Sequence, residues 1–349
     1  MAKRRVYIAH TGGTIGMHES SSGWVPAPGY LEEQMRELPM FHSARVPDYV
    51  IRDFDPLLDS ANTTLANWTE IARDIADHID DFDGVIVLHG TDTMAYTASA
   101  LAYMLEGLGK PVILTGSQVP LVNPRSDGIR NLITAMLIAA HESIPEVTLF
   151  FNQALHRGCR VVKAHAQSYA AFVSPNHAPL ALAGHSVAVK HHLVRQPDPG
   201  ARLRVHEKLD PYVGVLWIFP GITAVIVRNF LRPPLRAAVM LAFGVGNGPS
   251  HDADFLAALR EAHDRGVVIV DCTQCWTGGV VIHDYATGSA MAQAGVVSGH
   301  DMTPPAALTK LHYLKGLDLP PAEIRRLVGE DLRGELTPHP VERPPGSSP

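Results

Sequence analysis

Apolar positions fall in short runs separated by polar, helix-spaced stretches. Val6-Tyr7-Ile8-Ala9-His10, Tyr49 to Phe54, Val85-Ile86-Val87-Leu88, Pro111 to Thr115 and Glu146 to Phe151 are rich in β-branched and aromatic residues. Such runs predict strands, and the most apolar of them predict strands buried on both faces. Between them the period changes. Asn67 to Asp81 places Trp68, Ile71, Ile75 and Ile79 on one helical face, a core stripe. Met94 to Leu105 is rich in Ala, Leu, Met and Tyr without Pro or Gly, and Ser126 to Glu142 also reads as a helix. The same alternation returns further on, with strands expected at Val213 to Phe219, Arg236 to Phe243 and Val267 to Asp271.

The 349 residues exceed one ordinary core and suggest two α/β domains, residues 1–190 and 212–337. Residues 191–211 are polar and bear Pro, so they are expected as the linker. Residues 338–349, rich in Pro, Gly and Ser, are expected as a disordered tail.

Two strand ends concentrate chemistry. After Leu88 comes His89-Gly90-Thr91-Asp92-Thr93, then the predicted helix. Hydroxyls and a carboxylate at the carboxyl end of a strand, facing free N–H groups at a helix start, mark the place where open α/β sheets bind ligands. Thr and Asp are also ordinary helix caps, and that alternative stands beside the first. After His10 comes Thr11-Gly12-Gly13-Thr14-Ile15-Gly16-Met17. Its glycines let backbone approach a ligand, and Thr14 can serve as a nucleophile where a neighbour takes its proton; a plain Gly-rich turn is the bland reading. Ser117, in Gly116-Ser117-Gln118, lies at the same end of its strand. Asp59 and Ser60 suit the ammonium and carboxylate of an amino acid, or else a helix-start turn. Lys163 follows Val161-Val162 and is expected at a partly buried strand end, though a surface lysine fits the same pattern.

Composition removes several function classes. The formal charge of −6 and dispersed Lys and Arg offer no basic stripe for nucleic acid. The first apolar run stops at His10, and no apolar span of about 18 residues occurs, so neither a signal core nor a membrane segment is expected. A cytoplasmic location follows as the expectation. Cys159, Cys272 and Cys275 make no disulfide framework and are expected as buried thiols, while the 19 histidines lack metal-ligand spacing. Gly244-Val245-Gly246-Asn247-Gly248 follows a strand as in a dinucleotide fold, but Pro249 occupies the place of the third glycine. A nicotinamide-dependent oxidoreductase is the alternative this pattern raises.

TGGTIGM and VLHGTDTMAYTASAL together resemble the L-asparaginase family, specifically its cytoplasmic bacterial-type (type I) branch. The likeness runs from about Arg5 to about Leu336, ending in LRGEL. It implies a two-domain asparaginase-like fold, with a larger N-terminal parallel or mixed sheet flanked by helices and a smaller Rossmann-like C-terminal domain. It implies hydrolysis of L-asparagine to L-aspartate and ammonia through a β-aspartyl ester on Thr14, with no metal or organic cofactor. Thr91, Asp92 and Lys163 would move protons. Asp59, Ser60 and Gly90 would hold the substrate, with backbone N–H groups near Thr91 and Ser117 facing the oxyanion.

The loop from His18 to Tyr30 corresponds to the family's lid, with Trp24 where a tyrosine is usual. Tyr285 of a neighbouring subunit would then complete the site, in a homodimer or homotetramer. Some relatives are activated by a second asparagine through an arginine and a threonine. Leu241 and Val162 stand there in this chain, which predicts weak or absent activation. A broader asparaginase/glutaminase and an aminoacyl-tRNA amidotransferase subunit are the remaining alternatives. The second is opposed by a motif that begins at residue 11 and by the absence of a basic face.

Overall fold

The computed structural model describes residues 3–21, 23–196, 200–281 and 286–338. The chain begins with β1 (Arg5–Gly12), a hairpin of β2 (Met17–Ser20) and β3 (Gly23–Pro26), α1 (Tyr30–Glu37), β4 (Asp48–Leu58), α2 (Leu65–His78) and β5 (Gly84–Leu88). Next come α3 (Met94–Met104), β6 (Leu105–Glu106), β7 (Val112–Thr115), α4 (Gly128–His141), β8 (Val147–Phe151) and β9 (Ala154–Arg157). Short strands follow: β10 (Val162–Lys163), β11 (Phe172–Val173), β12 (Ala181–Ala183), β13 (Val187–Val189) and β14 (Arg204–Val205). The last part runs β15 (Val213–Trp217), α5 (Ala224–Leu231), β16 (Ala237–Ala242), α6 (Ala253–Asp264), β17 (Val268–Thr273), α7 (Ala286–Gln293), β18 (Val296–Ser298), α8 (Pro304–Gly316) and α9 (Pro321–Val328).

Eight strands form the large sheet in the order β13-β12-β9-β8-β7-β5-β1-β4. β4, β1, β5, β7 and β8 are parallel, and the edge beyond β8 turns antiparallel. The small sheet, β15-β16-β17-β18, is parallel throughout. Every residue of β5, β7 and β8 is buried, as their unbroken apolar runs require of strands covered on both faces.

The α2 stripe of Trp68, Ile71 and Ile75 packs into the core, and Ile79 joins it from the single 3₁₀ turn that follows. Thr64 starts that helix with a reciprocal cap to Asn67. α3 is buried all round because the large sheet lies on one side and α8 on the other. Tyr103 stacks on Tyr313 there, centroids 5.8 Å apart. One apolar cluster therefore runs from β1 and β5 through α3 to α8 and the small sheet.

Three expectations change. The stretch after Thr14, read as a loop, is the β2–β3 hairpin, whose polar alternation gives little strand signal. The stretch expected as a linker carries β14, paired antiparallel with β6. Cys159 and Cys272 are buried, but Cys275 is exposed. The tail from residue 339 onward lies outside the described residues.

Candidate active site

The chain leaves β1 toward β4 on one side of the sheet, then returns to β5 on the other. The β1–β5 boundary is thus a topological switch point, where the loops after neighbouring strands diverge and leave a crevice. Thr11–Thr14 follow β1, His89–Thr93 follow β5, Gly116–Gln118 follow β7, and Asp59–Ser60 follow β4. All four segments meet at this end of the sheet.

Glycine sets how closely they meet. A Cβ on Gly13 would lie 2.5 Å from the Gly90 nitrogen, and one on Gly90 would lie 2.5 Å from Ser60 Oγ. A Cβ on Gly12 would fall 2.1 Å from the Leu58 carbonyl oxygen. Gly12 and Gly13 also have φ of +131° and +91°. These glycines allow the loops to pack backbone to backbone.

Lys163, at the end of β10, reaches across to the β5 loop. Its Nζ donates to Thr91 Oγ1 at 2.9 Å and to Asp92 Oδ1 at 2.6 Å. The Lys163 side chain is 18% exposed and that of Asp92 65%, so the ammonium is sheltered and the carboxylate faces outward. Thr14 opens a single 3₁₀ turn directly after Gly13, whose backbone lies against that of Gly90.

The other expected residues differ in what they engage. Ser60 is buried against Gly90, and its carbonyl accepts from Thr93 Oγ1 at 2.8 Å. Asp59 caps its own turn, Oδ1 accepting from Ala61 N at 3.1 Å, which is the helix-start role its sequence also allowed. Ser117 is buried and its hydroxyl has no hydrogen-bond partner among the described residues. Trp24 sits on β3 opposite Glu19, 41% exposed. Tyr285 lies outside the described residues. Val162 and Leu241 line one cleft of about 190 Å³ together with Trp217, Trp276 and Met302. That lining is mostly apolar, with Asn176, Thr273, Gln274 and Thr303 as its polar members, and carries no charged side chain among the described residues.

Packing adds residues that no sequence pattern marks. Gln118 Oε1 accepts from Thr91 Oγ1 at 3.1 Å. Beneath the β5 loop, Trp68 Nε1 donates to Thr97 Oγ1 at 2.9 Å, which lies 3.0 Å from His89 Nε2, while His89 Nδ1 lies 2.7 Å from the Gly90 carbonyl. Burial lowers the His89 pKa and keeps the ring neutral. A carbonyl can only accept, so the ring proton is on Nδ1 and Nε2 accepts from Thr97. This relay fixes the Gly90 peptide from below. Its members are scattered over α2, α3 and the loop after β5, and nothing but the fold brings them together.

The glycine turn after β16 does not lead into a helix terminus. Phe243 N donates to the Asn247 carbonyl at 2.9 Å, closing the turn on itself, and α6 begins only at Ala253. No phosphate cradle of the dinucleotide kind forms there.

A hydrogen-bonded Lys–Thr–Asp cluster at the switch point of a large, mostly parallel sheet, joined to a second, smaller parallel sheet, is a two-part α/β architecture. The family is shown by comparison. Residues 5–195 match the model "Asparaginase, N-terminal" and residues 212–328 the model "Glutaminase/Asparaginase C-terminal domain". The chain belongs to the asparaginase family. It is 51% identical over 338 residues to L-asparaginase 1 of Escherichia coli (strain K12), covering 97% of this chain and 99% of that one. It is 46% identical over 362 residues to the 60 kDa lysophospholipase of Homo sapiens, covering 97% of this chain and 63% of that protein. The crystal structure of L-asparaginase I from Vibrio cholerae superposes with a TM-score of 0.89 at 47% identity, over 96% of this chain and all of the other.

Proposed function

We propose that this protein is an asparaginase that hydrolyses L-asparagine to L-aspartate and ammonia. The observation that carries the reading is the Lys163 ammonium bridging Thr91 Oγ1 and Asp92 Oδ1, on the loop that packs against the Gly13–Thr14 turn. In this reading Thr14 Oγ attacks the side-chain amide carbon. The amide nitrogen takes up the proton that Thr14 loses and leaves as ammonia, and a β-aspartyl ester remains on Thr14. Water then attacks the ester carbon, aspartate departs, and a proton from the water returns to Thr14.

Thr91, Lys163 and Asp92 carry those protons, an ammonium beside a hydroxyl being the kind of pair that polarises it. Backbone N–H groups near Thr91 and Ser117 face the oxyanion, where losing one donor costs about 10² to 10³ in rate. Ser60 and Asp59 receive the amino-acid end of the substrate. The reading includes a cytoplasmic homo-oligomer in which Tyr285 of the adjoining subunit closes the site. For their part, the described helices include none long and apolar enough to cross a membrane.

Ammonia release from L-asparagine and from L-glutamine, measured over a range of concentrations with purified protein, tests the reading. Release from asparagine, much slower from glutamine and hyperbolic in concentration, is expected. Equal rates on both amides would establish the broader asparaginase/glutaminase alternative. A sigmoidal curve would show that the cleft around Val162 and Leu241 still takes an activator. No release from either amide would overturn the assignment.

A further inference from the structure

We propose that Gln118 is a positioning residue for Thr91, setting the direction of its hydroxyl hydrogen so that the oxygen presents a lone pair to Lys163. The inference rests on the roles just proposed for Thr91 and Lys163 and adds the group that orients them. Gln118 Nε2 donates to the carbonyls of Ala166 at 3.1 Å and Ser168 at 3.0 Å, which uses both amide hydrogens. Turning the amide over would set its oxygen against two carbonyl oxygens. Gln118 Oε1 must therefore face Thr91 Oγ1, 3.1 Å away.

Lys163 Nζ, 2.9 Å from the same hydroxyl, can only donate. The single hydrogen of Thr91 has to go elsewhere, and Gln118 Oε1 is the acceptor in reach. One lone pair of Thr91 then meets the ammonium, and the other is left for an incoming O–H.

The backbone of Gln118 is itself held. Its N–H lies 3.0 Å from Asp127 Oδ1, which also accepts from Val119 N at 3.2 Å. Asn131 Nδ2 donates to Asp127 Oδ2 at 3.1 Å and to the Gly116 carbonyl at 3.0 Å. Gln118 thus joins the rigid β7 turn to two places at once, the Thr91 hydroxyl and the chain that follows Lys163.

Two variants separate these roles, in protein whose parent activity on asparagine has been measured first. A silent parent would refute the function proposed above and with it the roles on which this inference rests, whereas an active parent leaves the two variants to test Gln118 alone. Gln118→Met keeps the length but has neither acceptor nor donors. Gln118→Glu keeps an acceptor for Thr91 and loses both donors to the 164–171 loop. Both variants are expected to raise KM through the loop, while kcat of the Glu variant exceeds that of the Met variant by about tenfold, the effect of one well-placed hydrogen bond. The Glu variant is also expected to move the pH limb of kcat upward, because a new carboxylate beside the Lys163–Thr91 pair favours the ammonium. Equal kcat values in the two variants would overturn the inference. Should the Met variant fail to fold, as read by its melting curve, a Glu variant with the parent's pH profile would overturn it instead.

Discussion

Gly12, Gly13 and Gly90 show how little of this site is made by its reactive groups alone. With a Cβ at Gly13 only 2.5 Å from the Gly90 nitrogen and φ at +91°, any side chain must push the β1 and β5 loops apart. The neighbour is backbone, so no rotamer change relieves the clash. Thr14 and Thr91 ride on those two loops, and a displacement of about 1 Å is enough to cost about 10² in rate. Gly13→Ala is therefore expected to lower kcat at least tenfold and to depress the melting temperature. Gly184→Ala, where nothing lies within 4 Å of the added carbon, should match the parent in both measurements. A Gly13→Ala enzyme with parental kcat would show that the loops are compliant. The glycines were visible in the sequence as permissive positions, but what they permit was not. A pattern along one chain segment does not reveal which other segment lies against it.

At the scale of elements, residues 331–337 act as a strap from the second unit back onto the first. Arg160 Nε donates to the Gly334 carbonyl at 2.7 Å, Arg195 pairs with Asp331 at 3.0 Å, and Arg333 reaches Glu106 at 3.1 Å. Its anchor is Glu335, which meets Lys310 of α8 at 2.5 Å with both side chains fully buried. Lys310 also donates to the carbonyls of Val328 and Glu330, and Glu335 accepts from the N–H groups of Leu332 and Arg333. Burial works most strongly against the Glu335 carboxylate, but the Lys310 charge, its hydrogen bond and the backbone N–H donors together outweigh it and hold the pKa below the usual range. Every polar atom of the pair has a partner, so removing one member strands the other. Glu335→Ala is expected to destabilise the protein by about 3–5 kcal/mol, and Lys310→Met with Glu335→Leu by much less. Urea unfolding of both decides this, and equal losses would show that the strap is held by its rim and not by its anchor. LRGEL marked only where the family likeness ended. Its mechanical role depends on a lysine buried in α8, which helical spacing alone cannot identify.

Across the whole molecule, what was legible followed from burial on a regular period. The apolar runs at 85–88, 112–115 and 147–151 became central strands, and the alternation beyond 212 became a parallel sheet. Illegible parts were those whose contacts join distant segments, among them the polar hairpin, the His89 relay and Gln118. Asp271 is the sharpest case. It reads in the sequence only as the end of an apolar strand, yet its side chain is fully buried under Gly246 and neither oxygen has a hydrogen-bond partner among the described residues. Burial pushes its pKa from 3.8 up to about 8. In that interval the folded protein keeps a proton that the unfolded chain has released. The unfolded state then binds fewer protons, so stability falls as pH rises, by up to about 1.4 kcal/mol per pH unit. Asp271→Asn carries no such charge. Its constant offset includes the burial of an amide, but the component that varies with pH disappears. Urea midpoints for parent and variant at pH 5 and pH 8 should therefore diverge, the variant gaining on the parent as pH increases. A gap that is the same at both pH values would mean that Asp271 is ionised and solvated in the folded protein at pH 5 as at pH 8, and that the second sheet opens beneath the 244–248 turn.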